Sequence, residues 1–100
     1  MSDMNIRKEV DGNTAILYLE GWMDTLNAPL LADALNELED SVEYLIFDME
    51  KLEYISSTGI RQIIAAYKQM KGEFVIRKPS SEIMNVLSMV GLDKKLKIES

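Results

Sequence analysis

The chain has 100 residues, of which 47% are hydrophobic and 28% are charged, and its net charge is −6. These values are typical of one small globular domain, and the acidic balance argues against direct binding of nucleic acid. The chain contains no cysteine and no histidine, which excludes disulfides, thiol nucleophiles, Cys or His metal ligands and histidine acid–base chemistry. Without an apolar signal-peptide core or an apolar run near ~18 residues, we expect a cytoplasmic protein with no membrane segment.

The first half of the chain predicts a hairpin, a helix and a buried strand. Strands over Asn5–Val10 and Thr14–Glu20 flank Asp11-Gly12-Asn13, a sequence typical of a tight hairpin turn. Residues Ala28–Leu38 predict a helix, because Leu31, Ala34, Leu35 and Leu38 share one helical face. The continuous apolar run Tyr44–Met49 is typical of a strand in the middle of a sheet.

The second half predicts two further helix–strand units. A helix extends from the hydroxyl residues after Ile55 to about Lys71, where Gly72 provides a C-cap. A short strand follows over Glu73–Arg77. A third helix begins at Ser80 and ends at Gly91, and its inner face is predicted to consist of Ile83, Val86, Leu87 and Val90. Lys95–Ile98 predicts a last edge strand.

This order of elements, ββαβαβαβ, predicts a single α/β domain over residues 1–100. Strands that alternate with helices imply right-handed crossovers and a largely parallel sheet. Together with the opening hairpin, they predict a mixed sheet of four or five strands covered by about three helices.

The hydroxyl cluster, which we define as Ser56, Ser57 and Thr58, directly precedes a helical pattern. A hydroxyl at such a position can accept a hydrogen bond from the first helical turn. Its neighbours remain exposed at the positive end of the helix dipole, where a phosphate is favoured. Arg61 and Lys68, seven residues apart, add a basic face to the same helix. The cluster is therefore either only a cap or also a phosphate acceptor for a kinase, and the residues alone favour the cap.

An enzyme site has less support from the sequence. The cluster matches neither the Gly-x-Ser-x-Gly elbow nor a Ser-x-x-Lys pair, and no phosphate-binding Gly-x-x-x-x-Gly-Lys-Ser/Thr loop occurs. Asp24 and Asp48 could meet at strand ends as a metal or acid–base pair, although capping or loop roles are favoured. We therefore expect no catalysis, no cofactor and no metal.

The stretch Leu52–Met70 resembles the STAS domain of bacterial anti-sigma factor antagonists. The family signature is an apolar residue, Asp or Ser, Ser, a small residue, Gly, and Leu or Ile; here it is Ile55-Ser56-Ser57-Thr58-Gly59-Ile60, with Tyr67-Lys68-Gln69 downstream. Three further segments resemble the family's Gly-x-x-Asp, strand-end Asp and closing Gly-Leu turn: Gly21-Trp22-Met23-Asp24, Phe47-Asp48-Met49 and Val90-Gly91-Leu92-Asp93-Lys94. The resemblance thus covers nearly the whole chain.

The resemblance implies a function. In this family, an anti-sigma factor that is also a serine kinase of the GHKL type binds the unphosphorylated antagonist and releases its sigma factor. The kinase then phosphorylates the antagonist, which ends the interaction, and a phosphoserine phosphatase restores it. The resemblance places the acceptor at Ser57, with Thr58 less favoured. It places the partner-binding surface on Asp24, Ser56, Ser57, Thr58, Arg61, Ala65 and Lys68.

One departure from the family pattern leaves an alternative open. Ser56 stands where the best-known members have Asp, a residue that could orient the acceptor hydroxyl. The alternative is a STAS scaffold or accessory subunit that binds a transporter or sensor partner without phosphorylation.

Overall fold

The computed structural model describes residues 3–100, and its helices and strands follow the predicted order. The elements are β1 (Met4–Asp11), β2 (Thr14–Met23), α1 (Ala28–Asn36), β3 (Tyr44–Ile55), α2 (Ser57–Gln69), β4 (Phe74–Arg77), α3 (Ser81–Met89), a 3₁₀ turn (Leu92–Lys94) and β5 (Lys97–Glu99). The five strands form one sheet in chain order, in which β1 is antiparallel to β2 and the other neighbours are parallel. The predicted mixed α/β sheet with an opening hairpin is confirmed.

The three helices cover one face of this sheet. Because the strands lie side by side in chain order, successive crossovers of one hand place the helices on the same face. The burial of β2 agrees with helices on one face. Ala15, Leu17 and Leu19 are buried, whereas the residues between them, which point to the other face, are only half-buried. Phe47 of β3 and Phe74 of β4 pack edge to face in this core, with ring centroids 4.7 Å apart. The opposite, helix-free face of the sheet carries mostly polar side chains.

Two strands are longer than predicted. β2 extends to Met23 and β3 to Ile55, where these two residues pair. The prediction that β3 ends at Met49 was wrong. Charged residues such as Glu50 and Glu53 interrupt the apolar run of the sequence, but they are exposed positions within a strand that continues. Leu52 and Ile55 continue the buried side of the strand. The β2–β3 pair therefore extends well beyond β4, whose pairing with β3 ends at Asp48.

Several helix ends also differ from the predictions. α1 ends at Asn36 and α2 at Gln69, each two residues earlier than expected. After α2 both Lys71 and Gly72 have positive φ, so a two-residue left-handed turn ends the helix. Val90 was wrongly placed on the inner face of α3, because the helix ends at Met89 and the Val90 side chain is exposed. β5 begins at Lys97, since the 3₁₀ turn precedes it.

Candidate functional site

The loop after β2 and the start of α2 meet at the carboxyl ends of the two long strands. The backbone N–H of Ser56 donates to the carbonyl of Met23 at 2.8 Å. The hydroxyls of Thr25 and Thr58 lie 3.4 Å apart, within hydrogen-bonding distance. These contacts fix the hydroxyl cluster against the β2–α1 loop, at the edge of the sheet where open α/β folds place their sites.

Ser56 is the N-cap of α2. Its backbone is extended, with φ −91° and ψ 174°, and its Oγ accepts a hydrogen bond from the backbone N–H of Gly59 at 3.2 Å. Its carbonyl already accepts the first helical hydrogen bond, from Ile60 at 2.9 Å. This arrangement satisfies one of the free N–H groups of the first turn and assigns the capping role to a single hydroxyl.

The other two hydroxyls lie in different environments. Ser57 is the first residue of α2 and is exposed, and no hydrogen bond joins its hydroxyl to another residue between Asp3 and Ser100. Thr58 is half-buried and faces Thr25. Ser57 is therefore the hydroxyl of the cluster that an external enzyme would reach most readily.

Gly59 allows α2 to begin this close to the sheet. A Cβ at this position would lie 2.7 Å from Cγ1 of Ile55 and 2.8 Å from Sδ of Met23. Both distances are well inside van der Waals contact, so a side chain would push the first turn outward. The glycine thus holds the hydroxyl cluster against the strand ends by close packing, since its φ is helical and not left-handed.

The outer face of α2 is basic. Ser57, Arg61, Ala65 and Lys68 follow one another at intervals of four and three residues and are all exposed. The opposite side of the helix is buried through Ile60, Ile63 and Ala66. No Asp or Glu occurs in α2. The structure thus places these four predicted binding residues on one surface, with positive charge that no acidic side chain of the helix offsets.

Asp24 lies in the β2–α1 loop and holds the start of α1. Its Oδ1 accepts a hydrogen bond from the backbone N–H of Asn27 at 2.9 Å, and its carbonyl accepts from Ala28 at 2.9 Å. The residue is half-buried. Its carboxylate therefore shapes the loop that contacts Thr58, a structural contribution to the site.

Asp48 does not join this site. It lies inside β3, seven residues before Ile55, which is roughly 20 Å along a strand. Asp48 is buried, its Oδ2 accepts from Nε of Arg77 at 2.9 Å, and its Oδ1 accepts from the backbone N–H of Glu50 at 3.1 Å. Asp24 and Asp48 therefore do not meet at strand ends as a metal or acid–base pair, an interpretation that the sequence already disfavoured, because β3 continues past Asp48. Among residues 3–100 no cluster of three or more acidic side chains could hold a metal ion.

The ion pair of Asp48 and Arg77 belongs to the packing of the helix-free face. Burial by itself lowers the pKa of the Arg77 guanidinium, but its interactions with Asp48 and Tyr18 together outweigh the burial, and the pKa is raised. The Arg77 guanidinium also lies 5.9 Å from the ring centroid of Tyr18. Asp48 thus stabilises the β3–β4 pairing.

An exposed apolar group that the sequence did not reveal lies at the end of the sheet that carries the hydroxyl cluster. We name it the apolar rim, and it consists of Trp22, Leu26 and Tyr54. The rings of Trp22 and Tyr54 pack at 4.7 Å between centroids, although both side chains are exposed. Leu26 in the β2–α1 loop is 86% exposed. The two rings are neighbours because bulges shift the β2–β3 register to pair Trp22 with Tyr54, and no sequence pattern reveals such a shift.

No helix between residues 3 and 100 has the length and hydropathy needed to cross a membrane.

Comparison with solved structures identifies the same fold in other proteins. An anti-sigma factor antagonist from Mycobacterium paratuberculosis is 22% identical, with a TM-score of 0.87 over 97% of this chain and 86% of that chain. The anti-sigma factor antagonist SpoIIAA in its unphosphorylated form is 17% identical, with a TM-score of 0.79 over 98% and 89%. A sulfate transporter family protein from Wolinella succinogenes is 17% identical, with a TM-score of 0.77 over 92% and 80%.

The comparison with family models identifies the family itself. The model of the STAS domain matches residues 5–100, which span every strand and helix of the fold apart from the first residue of β1. The chain belongs to the STAS domain family.

Proposed function

We propose that this chain is an anti-sigma factor antagonist whose binding to its partner is ended by phosphorylation of Ser57. The observation that carries the proposal is the division of roles within the hydroxyl cluster. Ser56 caps α2 and Thr58 faces Thr25, whereas the Ser57 hydroxyl is exposed and has no partner among residues 3–100. Modification of Ser57 therefore breaks no existing hydrogen bond.

The local electrostatics favour a phosphate at this position. A phosphoserine carries about −1.5 to −2 charges and three acceptor oxygens. At the first residue of α2 it lies at the positive end of the helix dipole. Arg61 is four residues further on, at the spacing at which helical side chains meet. The modified protein is thus expected to keep its fold, and the switch acts by changing the charge of the exposed surface.

The proposed partner is an anti-sigma factor that is itself a serine kinase of the GHKL type. It binds the surface composed of Asp24, Ser56, Ser57, Thr58, Arg61, Ala65 and Lys68, and this binding frees the sigma factor. The kinase supplies nucleotide and Mg²⁺, and the antagonist contributes only the acceptor hydroxyl and its position. A phosphoserine phosphatase then restores the binding-competent form. Membership of the STAS family and the fold shared with two anti-sigma factor antagonists support this assignment.

Phosphate transfer from a candidate anti-sigma kinase of the same genome tests the proposal. Incubation of the pure chain with kinase and ATP should add one phosphate by intact mass, and fragmentation should locate it on Ser57. Ser57→Ala should abolish the transfer, whereas the matched control Thr58→Ala should retain it. Transfer that persists in Ser57→Ala would exclude this acceptor.

A second candidate function is supported by Ser56 and by one structural neighbour. A serine replaces the acidic residue that the best-known antagonists have beside the acceptor, and the Wolinella protein with this fold belongs to a sulfate transporter family. The alternative is a scaffold or accessory subunit that binds a transporter or sensor partner without phosphorylation. A pull-down that recovers transport subunits and no kinase would favour this alternative.

A further inference from the structure

β1 is an edge strand whose outer side is open. It pairs with β2 on one side, and no strand among residues 3–100 pairs with its other side. In an antiparallel pair alternate residues bond to the partner strand, and the residues between them turn their N–H and C=O groups away. Trp22 donates to the carbonyl of Asp3 at 2.9 Å in the same register. Residues 3, 5, 7, 9 and 11 therefore face β2, and Met4, Ile6, Lys8 and Val10 face the open edge.

A groove separates this open edge from α1. Its lining includes the apolar side chains of Met4, Ile6 and Leu30 together with Lys8, Asp33 and Glu37. Ile6, Lys8 and Val10 pair with the buried residues of β2, so their side chains point to the helix-bearing face. Val10 is 51% exposed and Leu30 is 48% exposed. An edge with unpaired backbone groups and apolar side chains beside it is the arrangement that another strand can extend.

We propose that the occupant of this edge is β1 of a second copy of the chain, paired antiparallel about a two-fold axis at Lys8. In this register Ile6 of each copy faces Val10 of the other, and Arg7 faces Glu9. Both cross-strand pairs occur twice because of the symmetry. Opposite charges and β-branched apolar residues are favourable neighbours across antiparallel strands. The sequence of β1 is thus complementary to itself.

The charges select this register over its neighbours. Only residues that face the open edge, such as Ile6, Lys8 and Val10, can exchange hydrogen bonds with the second copy. Near the centre of β1, this condition allows a two-fold axis at Arg7, Lys8 or Glu9. An axis at Arg7 places the two Arg7 side chains opposite one another, and an axis at Glu9 places the two Glu9 carboxylates opposite one another. Like charges that face each other across a strand pair are destabilising. An axis at Lys8 brings two ammonium groups together, but it does so on the groove side, where Asp33 and Glu37 supply negative charge.

The groove does not include the proposed phosphorylation surface. None of Ser57, Arg61 and Lys68 lines it, so pairing through β1 leaves α2 of both copies accessible. The inference does not depend on the proposed function. Its consequence for that function is that one assembly would present two acceptor surfaces.

Sedimentation equilibrium of the native chain is the primary test. The mass should rise from 11.4 kDa toward twice that value as concentration increases. Lys8→Pro removes an N–H that points away from β2, so it should keep the monomer fold while weakening self-association by about tenfold or more. Val10→Lys should weaken it similarly, because it places a second cation at an exposed position of the same edge. A native chain that stays monomeric at about 1 mM would overturn the proposal.

The second variant protects the test against misfolding. Thermal melting shows whether Lys8→Pro remains folded, and if it does not, Val10→Lys decides. If Val10→Lys self-associates as strongly as the native chain, a surface other than the β1 edge is responsible, and the proposal fails.

Single cysteines test the register, since the natural chain has none. Residues opposite one another in a hydrogen-bonded antiparallel pair have Cα atoms about 5.5 Å apart, within the range of a disulfide. Lys8→Cys should therefore form a disulfide-linked dimer on mild oxidation. The matched control is Arg7→Cys, whose symmetry mates lie on a diagonal of roughly 7–8 Å, and it should link far less. Equal linking of the two variants, or linking of Arg7→Cys alone, would contradict the register.

Discussion

The hydroxyl of Ser56 accepts a hydrogen bond from the backbone N–H of Gly59 at 3.2 Å, so the cap of α2 is the residue directly before the proposed phosphate acceptor. Gly59 in turn packs against Ile55 and Met23 without room for a side chain. The position of Ser57 is thus set by the cap at Ser56 and the close packing of Gly59. Its own hydroxyl has no part in holding the helix start and remains available to accept a phosphate.

Removal of the cap should cost stability, whereas removal of the acceptor should not. Ser56→Ala is expected to lower the free energy of unfolding by about 1 kcal/mol, because a first-turn N–H loses its hydrogen bond. Ser57→Ala, the matched control, should change it by less than about 0.5 kcal/mol. Urea denaturation of both variants measures the difference. Equal losses in the two variants would show that the two hydroxyls share the cap.

An acidic residue introduced beside the proposed acceptor should speed phosphorylation. Ser56→Asp keeps an effective N-cap, so the free energy of unfolding should remain within about 0.5 kcal/mol of the original value. The new carboxylate lies next to Ser57 and is expected to orient its hydroxyl toward the kinase. Initial rates of phosphate transfer from the kinase, compared with those of Ser56→Asn, measure the effect of the charge. If Ser56→Asp accepts phosphate no faster than Ser56→Asn, the negative charge at position 56 does not contribute to phosphate transfer.

Charge reversal on the outer face of α2 should weaken kinase binding. Arg61→Glu changes an exposed residue that makes no ion pair among residues 3–100, so the fold should be unaffected. Charged residues at the rim of an interface act mainly on the association rate and its salt dependence. Surface plasmon resonance at two salt concentrations should record a slower association for Arg61→Glu. Lys95→Glu, an exposed lysine outside α2, is the control and should bind normally.

The buried ion pair should matter for stability and not for phosphorylation. Asp48→Asn leaves Arg77 without its charge partner, and we expect a loss of about 2 kcal/mol, below the full value of a buried pair because Arg77 is partly exposed. Denaturation measures the loss. Since Asp48 lies roughly 20 Å along the strand from the hydroxyl cluster, the rate of phosphate transfer at a temperature where the variant is folded should not change. A large drop in that rate would place Asp48 in the functional surface after all.

Periodicity and turn residues were enough to predict the order of elements, the hairpin and the start of α2, because each of these depends on local sequence. The length of β3 was not predictable in this way, since Glu50 and Glu53 lie on an exposed side of a strand that remains buried through Leu52 and Ile55. That error also misplaced Asp48.

The site itself was only partly accessible to sequence reasoning. A cluster of three hydroxyls indicates a helix start, but the choice of Ser56 as the cap depends on its hydrogen bond to Met23 on another strand. The contact between Thr25 and Thr58 and the Trp22–Tyr54 pair likewise join segments that are more than thirty residues apart in the chain.

The most direct test of the central claim is the affinity of the chain for the proposed anti-sigma kinase before and after phosphorylation by that kinase. We expect the phosphate to map to Ser57 and the phosphorylated chain to bind at least about tenfold more weakly, with unchanged thermal stability. An unchanged affinity, or a phosphate located on another residue, would contradict the proposed switch.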